Sequence, residues 1–219
     1  MKDTLGKTLF SPVAIPTLRH NVVELVTAAI FRGTIKAGER LNETRIAREL
    51  GLSRAPIREA LLRLQEQGMV VNTPRRGMFV VHLEEADVDK INGLRVLLEG
   101  EALRACRARL DTRGAARLER ALERLERAET AAPDVRARLD FDLHRAIWKA
   151  SANEYLERTL NGLAAPLFAH SVLRIMQNEE KRHLIRAHRP LLDYIFGRAK
   201  GCPEALVAEH LRVPWPRPE

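Results

Sequence analysis

The amino-acid sequence predicts a mainly α protein in two parts: an N-terminal winged helix-turn-helix, whose wing is a small β-hairpin, and a C-terminal all-α helical bundle. Three observations lead to this prediction. Two helical patterns flank a glycine turn between Asn42 and Met69, two β-rich runs follow directly, and nothing from Glu85 onward resembles a strand. The sequence therefore predicts four segments: a flexible arm over 1–16, the winged helix-turn-helix domain over 17–83, the helical domain over 84–213 and a short tail over 214–219.

Composition and charge narrow the class of partner. The chain has 219 residues, of which 45% are hydrophobic and 5% aromatic, as suits a helical core. Its net charge of +8 is uneven, because residues 1–83 hold 13 basic and 7 acidic side chains, whereas residues 84–219 hold 24 and 22. A basic excess on the helix-turn-helix segment indicates a protein that binds a polyphosphate such as a nucleic acid. The alternative is a basic protein that binds no nucleic acid.

The sequence carries no sign of export. No apolar run reaches the roughly 20 residues that a membrane span needs, and residues 1–16 lack an apolar region followed by a cleavage site. Cys106 and Cys202 are too few for a disulfide framework. We therefore expect a cytoplasmic protein without a membrane partner.

The first domain is predicted to contain three helices. Apolar residues recur at helical spacing over 18–32, and Gly33 ends that helix. A turn is predicted over 35–41. Two shorter helices follow over 43–50 and 54–67, and together they form the helix-turn-helix unit, whose second helix can enter the DNA major groove.

Capping residues mark the ends of these two short helices. Asn42 and Ser53 stand where a side-chain oxygen can accept a free amide of the first turn. Gly51 in the turn and Gly68 after the second helix suit a left-handed backbone, which glycine adopts at low cost.

Two arginines share one face of the second short helix. Arg54 and Arg58 lie four residues apart, so their side chains project in the same direction. That face cannot be the apolar face formed by Ile57, Leu61 and Leu64. The arginines are therefore expected to point outward, toward a partner.

A hairpin is predicted directly after the second helix. Its strands cover 69–72 and 78–82, around a short loop with proline and glycine. The tip carries Arg75, Arg76 and Gly77, and glycine there lets the backbone approach a DNA groove or phosphate closely. The alternative is a solvated loop without a partner.

The second domain is predicted to be a bundle of six or seven helices. A kink is expected at Asn92–Gly93, a break at Pro133 and another near Pro166, and the prolines after Val213 stop the last helix. The predicted helices cover 85–110, 114–130, 134–150, 154–176, 179–186, 190–200 and 203–212. Cys106 and Trp148 are expected in its core.

In this order, the features resemble the GntR family of bacterial transcription regulators, in the FadR-type branch with an FCD effector-binding domain. The first half carries IKAGERLNETRIARELGLSRAPIREALLRLQEQGMVV and then RRGMFV, which follow the family's winged-helix pattern. The second half carries LRVLLEGEALRA and DFDLHRAIWKASAN, followed by His188 and His210 at the spacing of the FCD pattern.

The resemblance implies that the second short helix and the wing tip contact operator DNA. Arginine suits both phosphates and guanine, because its planar fork is bidentate. An ion pair of Arg58 with Glu43 or Glu59 is the structural alternative. By position, the implied contact residues are Thr44, Arg45, Ser53, Arg54, Ala55, Arg58, Arg75, Arg76 and Gly77. Thr44 and Ala55 differ from the fatty-acid regulator that names the branch, so the resemblance implies DNA binding without identifying the operator.

The resemblance also implies a divalent transition metal held by Asp140, His144, His188 and His210. Asp140 and His144 are four residues apart on one helix face, and a carboxylate with imidazoles suits zinc, nickel, manganese or iron. One or two coordination positions would stay open. His170 and His183 belong to the same domain and are rival ligands.

A small carboxylic-acid effector is implied as well, with Arg95 facing its cavity and Arg174 and Asn153 as further contacts. Arg95 has an alternative partner in Glu99, four residues on, and Asn153 has an alternative role in capping the next helix. Since proline stops the last helix near Val213, we expect a more open cavity or a missing dimer contact.

The sequence thus predicts a homodimeric regulator, rather than an enzyme, that binds a short palindromic operator and changes its DNA affinity when the acid binds. Two alternatives remain. One is a metal sensor, in which the metal itself is the signal. The other is a metalloenzyme fused to a DNA-binding module, although no residue resembles a positioned general base.

Overall fold

The computed structural model describes residues 16–170 and 188–212 of the chain. Across these two ranges there are nine α-helices and a small antiparallel sheet. In chain order, the elements are α1 (Pro16–Phe31), β1 (Arg40–Leu41), α2 (Glu43–Leu50), α3 (Arg54–Glu66), β2 (Val70–Thr73), β3 (Gly77–Val80), α4 (Glu85–Arg109), α5 (Thr112–Arg127), α6 (Pro133–Ala150), α7 (Glu154–His170), α8 (Arg189–Ile195) and α9 (Pro203–Leu211).

The helix-turn-helix forms as predicted, except at one cap. Asn42 Oδ1 accepts the backbone N–H groups of Thr44 and Arg45, each at 3.0 Å, which satisfies two free donors of α2. Gly51 ends α2 with a left-handed φ of 65°. Ser53 occupies the N-cap position of α3, but its side chain makes no capping hydrogen bond, so the prediction of a capping side chain is wrong there.

One face of α3 is buried against α1, and the opposite face is exposed. The buried side chains of α3 include Ile57, Leu61 and Leu64, each at 0% exposure. Burying one such side chain stabilises a fold by about 1.5–3 kcal/mol, so this apolar stripe fixes the orientation of α3. Arg54 and Arg58 consequently face solvent, as predicted.

The wing is part of a three-stranded sheet with the order β1-β3-β2. The hairpin register pairs Val70 with Val80 and Thr73 with Gly77, so each strand extends one residue farther into the loop than predicted. The segment predicted as a turn over 35–41 ends in β1, which pairs with β3 through Arg40 and Leu41. Two residues are too few to show the alternation that identifies a strand in a sequence.

The second domain is the predicted helical bundle, with shifted helix boundaries. Helix α4 continues without a break through Gly93, where a kink was expected. Helix α5 begins two residues early, because Asp111 Oδ1 accepts the N–H of Gly114 at 2.6 Å and caps it. Helix α7 passes through Pro166, and α8 ends at Ile195, five residues before the predicted end. The helix predicted over 179–186 lies outside the described residues.

The core of the bundle contains the residues that the sequence placed there. Trp148 and Cys106 are both fully buried, and burial raises the pKa of the Cys106 thiol to about 12, so this cysteine is a packing residue. Cys106 and Cys202 are both free thiols. In the described ranges, no helix has the combination of length and apolar character that crossing a membrane requires.

Helices α6 and α7 contact the DNA-binding half of the chain. Arg138 of α6 bonds Glu24 of α1, and Arg32 Nε lies 3.2 Å from Asp134 Oδ2. Gly68, with a φ of 77°, packs so closely on α7 that an added Cβ would lie 2.9 Å from the carbonyl oxygen of Gly162. The end of α3 is therefore held directly against the helical domain.

Candidate functional site

Three imidazoles and a carboxylate converge inside the helical domain. His144 Nε2 lies 3.3 Å from His188 Nε2 and 3.1 Å from His210 Nε2. Asp140 Oδ1 lies 2.6 Å from His188 Nε2 and 3.9 Å from His144 Nε2. The structure therefore brings the three implied histidines together, with the fourth implied ligand, Asp140, beside His188.

Three helices position these side chains. Asp140 and His144 project from one face of α6, a single turn apart. His188 is the N-cap residue of α8, and His210 lies in the last turn of α9, which packs along α4. His144 and His188 are buried, at 1% and 2% exposure.

Glu99 of α4 fixes the orientation of His144. Its Oε2 lies 3.0 Å from His144 Nδ1, and its Oε1 accepts from Arg95 Nε at 2.7 Å. A carboxylate at Nδ1 favours the tautomer with the proton there, which leaves the Nε2 lone pair directed at the other ligands. Sequence reasoning considered Glu99 as a partner of Arg95 but missed its bond to His144, because that contact spans 45 residues.

The donor set fits a bound cation better than a network of hydrogen bonds. His210 Nδ1 is a buried polar atom for which the described residues supply no hydrogen-bond partner. His144 Nε2 has one lone pair, which cannot accept well from two imidazoles at once. Ligand atoms about 2.0–2.1 Å from a common ion lie roughly 3.0–3.4 Å from one another. The Nε2 atoms of His188 and His210 lie at similar distances, 3.3 Å and 3.1 Å, from His144 Nε2. The three-histidine cluster is consistent with a metal site.

The protonation states of the cluster also suit a metal. Burial raises the pKa of Asp140, but the charge and hydrogen bond of His188, together with the charges of His144 and Arg95, outweigh it and hold that pKa below its usual range. Burial likewise opposes ionisation of Glu99, yet Arg95 and His144 keep its pKa well below the usual value. Burial, followed by the charges of His188 and His144, lowers the pKa of His210 well below 6.5. Anionic carboxylates and a neutral imidazole are the forms that bind divalent ions.

Two of the three residues implied as effector contacts, Arg95 and Asn153, have structural partners. Arg95 is 5% exposed and pairs with Glu99, the alternative that the sequence offered. Its Nη1 lies 3.4 Å from Asn92 Oδ1, whereas its buried Nη2 has no partner among the described residues. Asn153 Oδ1 accepts the N–H of Leu156 at 3.1 Å, which confirms the capping role. Arg174 and the rival ligand His183 lie outside the described residues, as does the side chain of His170.

The helical part of the implied DNA surface is open. The side chains of Thr44, Arg45, Ser53, Arg54, Ala55 and Arg58 are all exposed. Arg54, rather than Arg58, pairs with Glu43, at 3.3 Å, and Arg45 lies 3.5 Å from Glu39. In the described part of the chain, Arg58 forms no ion pair. Exposed ion pairs contribute about 0–1 kcal/mol, so these arginines remain available to another anion.

The wing tip carries two further exposed arginines. Arg75 has a left-handed φ of 64°, which is uncommon for a residue with a side chain. The Arg76 guanidinium lies 5.6 Å from the ring centre of Phe79, so a cation–π contact holds the Arg76 side chain against the wing. Gly77 has a φ of 98° where the chain enters β3, a conformation that favours glycine.

Comparison with known proteins decides the family. The pattern of the bacterial regulatory proteins of the gntR family matches residues 18–80, and the pattern of the FCD domain matches residues 91–213. The chain belongs to the GntR family. Its FCD domain contains the whole histidine cluster, and its winged helix contains the exposed arginines.

Relatives of this GntR chain span most of its length. The uncharacterized HTH-type transcriptional regulator YdhC of Bacillus subtilis is 30% identical over 183 residues, which cover 83% of this chain and 82% of YdhC. The Glc operon transcriptional activator of Escherichia coli K12 is 26% identical over 218 residues, covering 88% and 85% of the two chains. The solved structure of E. coli McbR/YncC has a TM-score of 0.74 at 24% identity, covering 90% of this chain and 94% of that one, which shows the fold.

Family membership settles the class of activity. The protein is a DNA-binding transcription regulator with an effector-binding FCD domain, and the family is one of regulators rather than enzymes. The metalloenzyme alternative is thereby removed.

Proposed function

We propose that this GntR regulator changes its affinity for operator DNA when a small carboxylic acid binds at a metal centre in its FCD domain. The observation that carries the proposal is the convergence of the Nε2 atoms of His144, His188 and His210, with Asp140 Oδ1 only 2.6 Å from His188 Nε2. The metal is one of zinc, nickel, manganese or iron, which the same donor set accommodates.

The DNA-binding end is the exposed face of α3 together with the wing. Arg54 and Arg58 contact base edges or phosphates from the major groove, and Arg75 and Arg76 reach the backbone or the minor groove from the wing tip. The +6 excess of residues 1–83 supports this assignment, since phosphate contacts dominate affinity for DNA. Thr44, Arg45, Ser53, Ala55 and Gly77 complete the proposed surface.

The acid-binding end is the metal and Arg95. Four protein ligands leave one or two positions of a transition metal for an oxygen of the acid. The buried Nη2 of Arg95 lacks a partner in the described chain and belongs to the same group of charges as Glu99 and Asp140, so it can donate to a second carboxylate oxygen. Glu99 orients His144 rather than binding the metal itself.

The proposed regulator is a homodimer, because a two-fold symmetric protein matches a palindromic operator. The acid acts by binding one arrangement of the two winged helices more tightly than the other. It can shift DNA affinity by no more than that difference.

Metal content and operator affinity test the proposal together. We expect wild type, purified and loaded with zinc, to hold one ion per chain, and Asp140→Ala and His144→Ala to lose it while retaining helicity by circular dichroism. A screen of small organic acids, with zinc present, should find one that raises the melting temperature and shifts operator affinity. Zinc retained by both variants would refute the metal centre.

The same titrations separate the acid-responsive regulator from a metal sensor. In a metal sensor, adding the metal alone switches operator affinity and no acid alters it. In the proposed regulator, the zinc-loaded protein binds the operator until the acid is added, or binds it only afterwards. The cluster geometry is common to both, so the acid titration decides.

Replacing the arginines of α3 tests the DNA-binding end. Arg54→Ala with Arg58→Ala should weaken operator binding by about 1–3 kcal/mol per arginine in each half-site without changing the circular dichroism spectrum. Arg127→Ala, at an exposed position of α5, serves as the control. Unchanged operator affinity of the double variant would contradict the assignment.

A further inference from the structure

Helix α4 is apolar on two opposite sides. Its inward side includes Val96, Leu103 and Cys106, all at most 1% exposed. Its outward side presents Leu94 and Leu97, each 49% exposed. A helix that serves only as one wall of a bundle needs a single apolar stripe, so the outward leucines call for a second explanation.

The outward leucines lie in the middle of a regular stripe. Intervals of three and four residues alternate along it, which is the spacing of a seam between two packed helices. The stripe consists of Asp87, Lys90, Leu94, Leu97, Glu101 and Arg104. At about 100° per residue, these positions fall on the side of α4 opposite its buried face.

The stripe is complementary in charge to an antiparallel copy of itself. An antiparallel copy centred between Leu94 and Leu97 sets each leucine against the other leucine of the copy. The same register places Lys90 opposite Glu101, and Asp87 opposite Arg104, of the copy. Every charged position of the stripe therefore meets an opposite charge, and a two-fold axis makes each of these contacts occur twice.

Gly93 at the border of the stripe provides independent support. A Cβ added there would meet no described atom within 4 Å, so packing within the chain does not require glycine. Glycine inside a helix is destabilising unless something approaches the backbone closely. A second α4 crossing the stripe is such a neighbour.

We infer that the outward face of α4 is the homodimer seam, in which two copies of this chain pack α4 against α4 in antiparallel orientation. This inference rests on the homodimer in the proposed function and specifies its interface. Within one chain, Lys90 pairs with Asp87 at 3.3 Å, and Arg104 pairs with Glu101 at 3.2 Å and also bonds Glu204 of α9. The side chains of Asp87, Lys90, Glu101 and Arg104 are each 44% exposed or more. These pairs lose little when they combine into groups of four charges across the seam.

Charge reversal tests the register. Lys90→Glu sets two acidic side chains against each other twice in the dimer, and Glu101→Lys does the same with basic ones. We expect each single variant to weaken dimerisation roughly tenfold or more in analytical ultracentrifugation. Lys90→Glu combined with Glu101→Lys in one chain restores the opposite charges and should return the dissociation constant to near the wild-type value. Glu123→Lys on exposed α5 is the control for net charge.

The double variant excludes the other arrangements. In a parallel seam, position 90 would face position 90 of the copy, so each single reversal would exchange one like-charge contact for another and leave no loss for the double variant to restore. Gly93→Leu should also weaken the dimer while leaving the melting temperature of the monomer at low concentration unchanged or higher. If the stripe is instead covered by another segment of the same chain, Leu94→Asp lowers the monomer's melting temperature and leaves the dimer intact, which overturns the seam.

The outcomes distinguish this inference from the function on which it rests. A wild-type dimer that survives both single reversals would overturn the seam and leave the homodimer standing. A wild type that is monomeric at the concentrations at which it binds operator would refute the homodimer itself. Metal content, measured on the same samples, is independent of both results.

Discussion

Removing the charge of Glu99 is the sharpest perturbation of the helical domain. Glu99→Gln keeps the shape of the side chain but leaves the guanidinium of Arg95, 5% exposed, without its counter-charge. Breaking a buried ion pair by removing one partner costs about 3–5 kcal/mol. Glutamine can still accept one hydrogen bond, from either Arg95 or His144, so we expect the lower end of that range, about 3 kcal/mol. Against a typical total of about 5–15 kcal/mol, this loss is easily measured.

The effect on metal binding is separate from the effect on folding. With glutamine at this position, His144 no longer has a charged acceptor at Nδ1, so its Nε2 becomes a weaker and less oriented ligand. Loss of such an outer partner lowers metal affinity by about 10–100-fold. Competition between the protein and a chromophoric chelator for zinc measures this, and urea denaturation of the chelator-treated protein measures stability.

A matched variant on α5 controls for the loss of a carboxylate from a helix. Glu123 and Arg127 form the same type of pair, four residues apart, at 3.2 Å, but at side-chain exposures of 45% and 79%. Glu123→Gln should therefore cost less than about 1 kcal/mol and leave zinc affinity unchanged. If Glu99→Gln were no more destabilising than this control, burial would not make the Arg95–Glu99–His144 chain essential to stability.

Two further perturbations follow from the geometry. The folded state holds the pKa of His210 below its ordinary 6.5, so the folded protein binds fewer protons at His210 than the unfolded chain does. Metal-free protein should therefore lose stability as pH falls below about 6.5. His210→Gln should flatten this pH dependence of the melting temperature, and an equally steep curve in the variant would exclude His210 as the cause. Gly68→Val combines a left-handed φ with a Cβ 2.9 Å from a backbone carbonyl of α7, whereas Gly51→Val meets nothing within 4 Å. Both lose roughly 1–3 kcal/mol to backbone strain, and Gly68→Val should lose more in urea denaturation; equal losses would show that the contact with α7 yields freely.

Much of the fold follows from local rules that the sequence displays. The three- and four-residue intervals of Ile57, Leu61 and Leu64 predict the buried face of α3, and Gly51 predicts where α2 ends. Two features escape such rules. Strand β1 exists because β3 offers it an edge, and α7 runs through Pro166 although proline usually ends a helix. Tertiary packing decides both, and the local sequence does not record it.

The candidate site divides in the same way. Asp140 and His144 stand out because their spacing places them on one helix face. His188 and His210 lie 44 and 66 residues from His144 and were placed only by the resemblance to the family. The role of Glu99 could not be foreseen, since its i,i+4 spacing indicates Arg95 and nothing local indicates an imidazole from α6.

The structure gives α4 a position between the proposed input and the proposed dimer. Its inward face carries Glu99, which contacts His144, so a change of ligation at the proposed metal centre would act directly on α4. Its outward face carries the stripe centred on Leu94 and Leu97. Helix α6, which supplies Asp140, also bonds α1 through Arg138 and Glu24. A shift of α6 relative to α4 would thus move the winged helix relative to the two-fold axis of the proposed dimer. Coupling would therefore require no long path, because adjacent helices carry the proposed ligands, the proposed seam and the contact with the DNA-binding half.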